Sequence, residues 1–390
     1  MKKLVLFYLI FISISISVNA QQPHLERYKE GGKYGFIDQN GEIAIPVQYE
    51  HTDFFLNGYA IVREGDKWGF INTKGELAIP YLYQLVGQFH EGVFSVKKEG
   101  KWGFINEEGG VVIPFIYDDV SHFSEGLVSV KAKGKWGVIN KGGKLVVPLE
   151  YDYVSHFKEQ RAYVQKGEKY GFVDNKGKLI ISIKYSDARN FSEQVAVVEQ
   201  DGKYGFINKQ GKLVIPIQYD EVDNFDNGIS VVKKEDKYAL INKKNEIILP
   251  FEFENMFFDN QNKNVVQVKK QGKKGLVNIN KDIIIPIEYD DLFIITPTNV
   301  FVEKGDKKGI LNTLGEIIIP VEYDFIGSFI RGFAIIRKDY KYGVINKEGK
   351  IIIPVEYDFA GNLFDGVFEV KKQRKTFYLN KEGKCVKNCP

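Results

Sequence analysis

A short motif that recurs at nearly constant spacing limits what this chain can fold into. Its clearest copy is KWGFIN at residues 101–106. The glycine after the aromatic residue recurs at Gly35, Gly69, Gly103, Gly137, Gly171, Gly205, Gly275, Gly309 and Gly343, and Ala239 and Phe377 hold the same place in two further copies. Successive copies are 34 residues apart, except for one step of 36 between Ala239 and Gly275. Eleven copies at a fixed period predict a repeat architecture, in which each unit packs mainly on its neighbours.

Each period predicts three β-strands separated by tight turns. In the copy around Trp136, alternating apolar residues predict a first strand at 128–132, and residues 135–140 predict a second. Residues 144–147 predict a third strand, which Pro148 is expected to end because proline cannot donate to a β-ladder. The segment that follows leads into the next unit, either as a loop or as a short fourth strand.

No helical periodicity is found after residue 20, so the predicted fold class is all-β: a tandem array of eleven β-meander repeats of about 34 residues. Two assemblies fit this pattern. An open superhelical, solenoid-like stack is favoured, because eleven units exceed the roughly four to eight blades of a propeller. One or two closed β-propellers are the alternative.

The N-terminus predicts a secretory signal peptide at residues 1–20. Lys2 and Lys3 precede an apolar run, and small residues at Val18 and Ala20 suit cleavage after Ala20. The run is shorter than the roughly 20 residues that a spanning helix needs. The expected organisation is a signal peptide (1–20), a repeat array (21–384) and a cysteine-containing tail (385–390). We therefore expect an exported protein, periplasmic, cell-surface or extracellular, with no membrane span after cleavage.

The only two cysteines are Cys385 and Cys389. An oxidising compartment after export favours a disulfide that closes this short tail. Free thiols or an intermolecular bridge are the alternatives.

Charge and motif content predict no nucleic-acid partner and no enzyme site. The formal net charge is +3, and Lys2 and Lys3 supply two of those charges. A nucleic-acid footprint needs basic residues concentrated on one face, whereas acids and bases alternate along this chain. The five histidines form no zinc-binding pattern, and the glycine-rich stretch 31–35 is the repeat hairpin. No catalytic, cofactor-binding or metal-binding residues are predicted.

Equivalent positions in successive copies form columns, which we name by their commonest residue type. The lysine column contains the lysine before each aromatic residue, as in Lys101, and the aspartate column contains the acid of each Tyr-Asp pair, as in Asp118. The aspartate is expected to accept backbone N–H groups at the turn after the proline, an acidic binding row being the alternative. The lysine is expected to pack over the next unit's aromatic residue with its ammonium near that unit's acid. A cationic binding row is the other interpretation.

The aromatic column supplies the candidate ligand site. It contains Tyr34, Trp68, Trp102, Trp136, Tyr170, Tyr204, Tyr238 and Tyr342, with Lys274, Lys308 and Thr376 in its other places. One hypothesis is core packing between units. The other is a row of platforms for sugars or peptides, strongest at Trp68, Trp102 and Trp136. His90, His122 and His156 lie in linking segments of the same region, where surface or turn placement is expected.

Together these columns resemble the WG-repeat (KWG-repeat) family, whose Trp-Gly pair stands here at Trp68, Trp102 and Trp136 with their following glycines. The resemblance covers roughly residues 27–384. It implies a bacterial repeat protein acting as an interaction scaffold, and it brings no catalytic residues. The chain departs from the pattern at Lys274 and Lys308, and around residues 183–194.

Three functions follow as hypotheses. The leading one is an exported, non-catalytic scaffold, expected to be monomeric, that binds a protein or a surface polymer. The second is a carbohydrate-binding or cell-wall-binding module that uses the aromatic column. The third is a hydrolase with carboxylates in a propeller channel.

Overall fold

The structure is a computed structural model that describes residues 24–258 and 264–389. Within these residues every regular element is a β-strand, which confirms the predicted all-β tandem array. The predicted signal peptide at residues 1–20 lies outside the described residues.

The described residues form two compact units: the first contains those up to Gly167 together with Val173–Leu179, and the second contains Glu168–Phe172 and those from Ile180 onward. The first strands are β1 (Glu26–Glu30), β2 (Lys33–Ile37), β3 (Ile43–Tyr49), β4 (His51–Thr52), β5 (Tyr59–Glu64), β6 (Lys67–Asn72), β7 (Leu77–Tyr83), β8 (Leu85–His90), β9 (Val93–Lys98), β10 (Lys101–Asn106), β11 (Val111–Tyr117), β12 (Asp119–Val120), β13 (Leu127–Ala132), β14 (Lys135–Asn140) and β15 (Leu145–Tyr151). The division between the units falls among β16 (Tyr153–Val154), β17 (Arg161–Lys166), β18 (Lys169–Asp174) and β19 (Leu179–Tyr185).

The later strands follow in the same order, with β28 and β32 longer and β43 shorter than most of their equivalents. They are β20 (Asp187–Ala188), β21 (Val195–Gln200), β22 (Lys203–Asn208), β23 (Leu213–Tyr219), β24 (Glu221–Val222), β25 (Ile229–Lys234), β26 (Lys237–Asn242), β27 (Ile247–Phe253), β28 (Asn255–Phe258), β29 (Val265–Lys270), β30 (Lys273–Asn278), β31 (Ile283–Tyr289), β32 (Asp291–Thr296), β33 (Asn299–Lys304), β34 (Lys307–Asn312), β35 (Ile317–Tyr323), β36 (Phe325–Ile326), β37 (Phe333–Lys338), β38 (Lys341–Asn346), β39 (Ile351–Tyr357), β40 (Phe359–Ala360), β41 (Val367–Lys372), β42 (Lys375–Asn380) and β43 (Cys385–Lys387).

In the described part of the chain these strands form eleven separate sheets, and none closes on itself. The first sheet is β1–β2–β3, and each later sheet takes the next four strands in chain order. A strand of two to six residues opens each sheet from the second onward; the two-residue β12, for example, pairs Val120 with Val130 of β13. The short fourth strand considered from the sequence therefore exists, and it belongs to the sheet of the following repeat.

The third strand of each repeat differs from its predicted form. β15 runs through Pro148 to Tyr151, whereas the sequence predicted that the proline ends the strand. Trp136 faces Tyr151 and Val138 faces Val147, so three residues of β15 lie opposite Gly137 alone. Because this bulge has no regular ladder bond at its centre, an exposed proline can occupy it.

The bulge explains the glycine of the Trp-Gly pair. A Cβ atom added at Gly103 would lie 2.6 Å from the Ile113 carbonyl oxygen and 2.7 Å from a ring carbon of Phe115. Only glycine lets the third strand approach this closely without displacement. In the last sheet, β43 pairs with β42 from Tyr378 onward and has no proline bulge, so the Phe377 side chain fills the corresponding space and is buried.

The hydrophobic core lies between consecutive sheets. One cluster joins Phe104 and Ile113 of the third sheet to Val128, Val130 and Ile139 of the fourth. In the second unit, Phe206 lies 4.7 Å from Phe225, ring centroid to centroid. Each repeat thus buries its apolar face only against its neighbours.

The turns that close the second hairpins carry a column that the sequence analysis did not single out. The Asn106 side-chain oxygen accepts hydrogen bonds from the backbone N–H groups of Glu108 (3.2 Å) and Gly110 (2.6 Å). Gly109 adopts φ 83°, and a Cβ there would lie 3.4 Å from the Ile79 side chain of the preceding repeat. Asparagine fixes this turn, and glycine lets it rest on the neighbouring sheet.

Loops before the first long strands also bond from one repeat to the next. The Glu125 carboxylate accepts the N–H groups of Glu159 and Gln160, both at 2.7 Å. In the second unit, the Glu193 carboxylate accepts the Gly228 N–H at 2.9 Å. Within each unit, consecutive repeats are therefore joined by polar as well as apolar contacts.

Candidate functional site

The three tryptophans occupy equivalent places on the second long strands β6, β10 and β14. Trp68, Trp102 and Trp136 are half-buried, so neither full core packing nor a fully free platform describes them. Trp102 packs partly against the core cluster between the third and fourth sheets. Part of each indole remains accessible on the sheet face.

Strand register places a cation beside each aromatic residue of the first four repeats. Each aromatic residue faces a residue five positions earlier in the chain, across the tight hairpin, as Trp102 faces Lys97. The cationic group lies over the ring at 4.9 Å from the centroid for Lys29 and Tyr34, 5.6 Å for Arg63 and Trp68, 5.9 Å for Lys97 and Trp102, and 5.9 Å for Lys131 and Trp136. We call these four pairs the cation–aromatic rungs. Such geometry suits cation–π attraction.

Residues of the short strands extend some rungs toward their neighbours. The His51 ring lies between Tyr34 and Trp68, at centroid distances of 5.9 and 5.3 Å. Tyr153 lies 6.0 Å from Trp136. Aromatic surface in the first unit therefore continues from one repeat to the next.

The same positions in the seventh, eighth and ninth repeats, which belong to the second unit, have different chemistry. Lys233 lies over Tyr238, but its ammonium also pairs with Glu221 (2.9 Å) and Asp236 (3.7 Å). Where lysine replaces the aromatic residue, Lys274 pairs with Asp291 at 2.6 Å and Lys308 with Glu303 at 3.2 Å. The departures seen in the sequence thus replace ring surface by ion pairs.

The lysine column bonds a different carboxylate from the one expected. The sequence predicted that the ammonium lies near the acid of the next unit. In the structure Lys101 bonds Asp118, the acid that ends its own period, 17 residues on. The same pairing joins Lys135 to Asp152, Lys203 to Asp220, Lys273 to Asp290, Lys307 to Asp324 and Lys341 to Asp358.

Each of these aspartates also bonds the next sheet. The second Asp118 oxygen accepts the Lys133 N–H at 2.8 Å, in the turn between β13 and β14. The aspartate therefore accepts a backbone N–H at a turn, as predicted, but this turn belongs to the following hairpin and is not the one after the proline. We call the lysine, the aspartate and this N–H a clasp. The Lys101 hydrogen bond, aided by that N–H, lowers the pKa of Asp118 from its ordinary value of 3.8, and the other five aspartates are lowered in the same way.

The clasps predict a loss of stability in acid. Because the folded pKa values lie below 3.8, the unfolded chain binds more protons as the pH falls through that value. The contribution is present above pH 3.8 and is lost below it. Urea unfolding at about pH 6 and about pH 3 should show a smaller difference for Asp118→Asn than for the unmodified protein. Asp119→Asn, at a neighbouring carboxylate that bonds the Val120 N–H, is the control. An unchanged pH difference in Asp118→Asn would contradict the clasp.

The histidines of the first unit form a row. The His90 and His122 ring centroids lie 4.5 Å apart, and those of His122 and His156 lie 5.5 Å apart. His122 is exposed, as expected, whereas His90 and His156 are half-buried. Burial, followed by the charge of His122, lowers the pKa of both His90 and His156 from 6.5.

This row predicts a second, milder acid response in the first unit. With folded pKa values below 6.5, the folded chain binds fewer protons than the unfolded chain, so the free energy of unfolding decreases as the pH falls below 6.5. The double variant His90→Gln/His156→Gln should flatten this decrease. Urea unfolding followed across the pH range measures it, and His51→Gln serves as the control. Equal slopes in all three proteins would show that the row does not titrate as a unit.

Cys385 and Cys389 form a disulfide with their Cα atoms 5.6 Å apart, which ties the end of the last sheet.

Among residues 24–258 and 264–389, no group of three or more His, Cys, Asp and Glu side chains is placed to hold a metal ion. No helix in that same part of the chain is long and apolar enough to cross a membrane.

Comparison with models of known protein families identifies the family to which this chain belongs. Nine tandem segments match the WG-containing repeat: 34–68, 68–102, 102–136, 136–170, 170–204, 204–238, 239–273, 309–342 and 342–375. The chain belongs to the WG-containing repeat family. The resemblance noted in the sequence is thus confirmed. The unmatched stretch 274–308 runs from Lys274 to Lys308, the two positions where lysine replaces the aromatic residue.

Solved structures show only remote likeness to this WG-repeat protein. A eukaryotic initiation factor is 13% identical with a TM-score of 0.41, over 77% of this chain and 96% of that chain. An extracellular domain of a putative hybrid two-component system from B. thetaiotaomicron is 10% identical (TM-score 0.27; 86% and 64% covered). PorZ, a surface component of the type-IX secretion system of Porphyromonas gingivalis, is 8% identical (TM-score 0.24; 91% and 72% covered). No curated protein matches the chain.

Proposed function

We propose that this WG-repeat protein is an exported, non-catalytic scaffold that binds a protein or a surface polymer along its repeats. The observation that carries the proposal is the recurrence of the cation–aromatic rung in four consecutive repeats. Equivalent groups at regular intervals suit a partner that is contacted several times, and linked contacts raise the overall affinity well above that of one contact. The signal peptide predicted at residues 1–20 supports export.

Two measurements test the scaffold. Mass spectrometry of the secreted or periplasmic fraction should find a mature N-terminus at Gln21. Co-sedimentation of the purified mature chain, residues 21–390, with cell envelopes of the source organism should be saturable. Retention in the cytosol with an intact N-terminus, or association that rises linearly without saturation, would contradict the proposal.

The half-exposed indoles favour a second candidate, a carbohydrate-binding module using Trp68, Trp102 and Trp136. All three tryptophans of the protein lie in this column, so tryptophan fluorescence reports on the candidate site alone. Iodide should quench the emission partly, because part of each ring is accessible. A glycan that binds there should relieve the quenching. Emission that no glycan changes would exclude the indoles as sugar platforms and leave the scaffold to protein partners.

A further inference from the structure

We infer that the cation–aromatic rungs of the first unit bind an acidic polysaccharide, with sugar rings on the aromatic column and carboxylate or sulfate groups at the cations. This inference rests on the proposed function and specifies its ligand. It is carried by a difference in ion pairing between the rung lysines of the first unit and Lys233, which holds the same position in the seventh repeat.

The three rung lysines of the first unit lack the ion pairs that their counterpart Lys233 makes. Among the described residues, no carboxylate oxygen lies within 4.0 Å of the Lys29, Lys97 or Lys131 ammonium. Lys233, at the same position over Tyr238, has two acidic partners. An unpaired ammonium held beside a ring remains available for an anionic group of a ligand.

Carboxylates lie near the cations of the second and fourth rungs. The Arg63 Nε atom lies 3.7 Å from Glu50, so the second rung is partly neutralised. Asp119 faces Lys131 across the strands of the fourth sheet, and its carboxylate bonds the Val120 N–H. The residue facing Lys97 at the same position is Leu85, which is apolar and exposed. The rung of Lys97 and Trp102 is therefore better suited to an anion than the rungs of Arg63 and Lys131.

The aromatic partner favours sugar over a purely acidic polymer. The face of an indole carries negative charge density and attracts the slightly positive C–H groups of a pyranose ring. Trp102 and Trp136 are half-buried and fixed by the sheets, so little side-chain freedom is lost on binding. A sugar acid can meet both members of a rung at once, through its ring and through its anionic group.

Because the rung recurs in four repeats, the rungs together can bind a polymer. The next two repeats lack the cation at this position and mark the end of this site. The rungs occur every 34 residues on consecutive sheets of the first unit. In the fifth and sixth repeats, Gln165 and Glu199 hold the place of the cation. Glu199 faces Tyr204 directly, where its carboxylate repels an acidic chain. Arg189 also lies over this ring, 5.7 Å from its centroid, and its guanidinium donates to the Val222 carbonyl. A linear acidic polymer is thus expected to lie along the first four repeats.

The test uses the mature chain, residues 21–390, and the polymer polygalacturonate, with dextran as the neutral control. Calorimetry or fluorescence titration should detect polygalacturonate and not dextran. The double variant Lys97→Gln/Lys131→Gln should weaken binding by about tenfold or more, and added salt should weaken binding of the unmodified protein. Lys233→Gln, whose cation is already paired, should stay within about twofold. Thermal melts of each variant confirm folding.

Each other outcome overturns the inference. Equal binding of dextran would show that charge does not determine binding. Unchanged binding by Lys97→Gln/Lys131→Gln would show that the cations of the rungs do not contact the polymer. If poly-glutamate binds as tightly as polygalacturonate, the ligand is an acidic protein and not a polysaccharide. Failure of the inference remains distinct from failure of the scaffold. Saturable envelope association that polygalacturonate does not compete would reject the ligand alone, whereas absence of saturable association would reject the scaffold.

Discussion

Replacing Phe206 by alanine is expected to lower the free energy of unfolding by about 3–5 kcal/mol. The Phe206 side chain is 1% exposed and belongs to a cluster that joins its own sheet to the next through Phe225 and Val232. The substitution therefore leaves a cavity at the boundary of two repeats, and the sheets on both sides lose packing. Urea unfolding followed by circular dichroism measures the loss.

Two further variants make this result specific. Phe206→Leu should cost less, because leucine fills most of the same volume. Phe364→Ala removes a side chain that is 73% exposed and should change stability by no more than about 0.5 kcal/mol. Hydrogen exchange should be faster in β22 and β25 of the Phe206 variant. Similar losses for Phe206→Ala and Phe364→Ala would mean that the core does not lie between the sheets.

Replacing Gly103 by alanine is expected to cost about 1–3 kcal/mol, and replacing it by valine more. The φ angle of Gly103 is not in the left-handed region, so the cost is steric: the new Cβ would meet the Ile113 carbonyl at 2.6 Å. Ala239 holds the same place in the seventh repeat, which shows that a methyl group can be accommodated where the surroundings have adjusted. Thermal and urea unfolding of the two variants should give a graded loss.

Gly142 supplies the matched control for this substitution. Its φ is also outside the left-handed region, and the nearest atom to an added Cβ is the Asn140 side-chain oxygen at 3.5 Å. Gly142→Ala should therefore stay within about 0.5 kcal/mol of the unmodified protein. A Gly103→Ala variant as stable as Gly142→Ala would show that the bulge moves aside at no cost.

Local patterns predicted the strands well where local geometry decides them. The second strand predicted at 135–140 coincides with β14 (Lys135–Asn140), because a regular alternation and two flanking turns mark it. The third strand was predicted too short. Its course through Pro148 depends on Gly137 in the partner strand, and no pattern within residues 144–151 reveals a bulge that another strand creates.

The candidate site was only half visible in the sequence. The tryptophans stand out by residue type, whereas the sequence analysis considered the adjacent lysine column and not the arginine or lysine that lies over each of them. A tight hairpin pairs residues five apart, so Lys97 could have been placed opposite Trp102 by counting across the turn. The clasp could not be found this way. Asp118 bonds Lys133 in the following sheet, and a repeating sequence does not say which copy of a group an acid will reach.

The short strand that opens each sheet has a consequence for how such a chain can change in evolution. Because Asp119–Val120 directly follows one copy's third strand and opens the next copy's sheet, each sheet from the second onward is one contiguous period of the chain. A segment of one period, cut at any point, contains one full set of the contacts that join neighbours. Unequal recombination between copies can therefore add or remove a repeat inside a unit without leaving an unmatched surface.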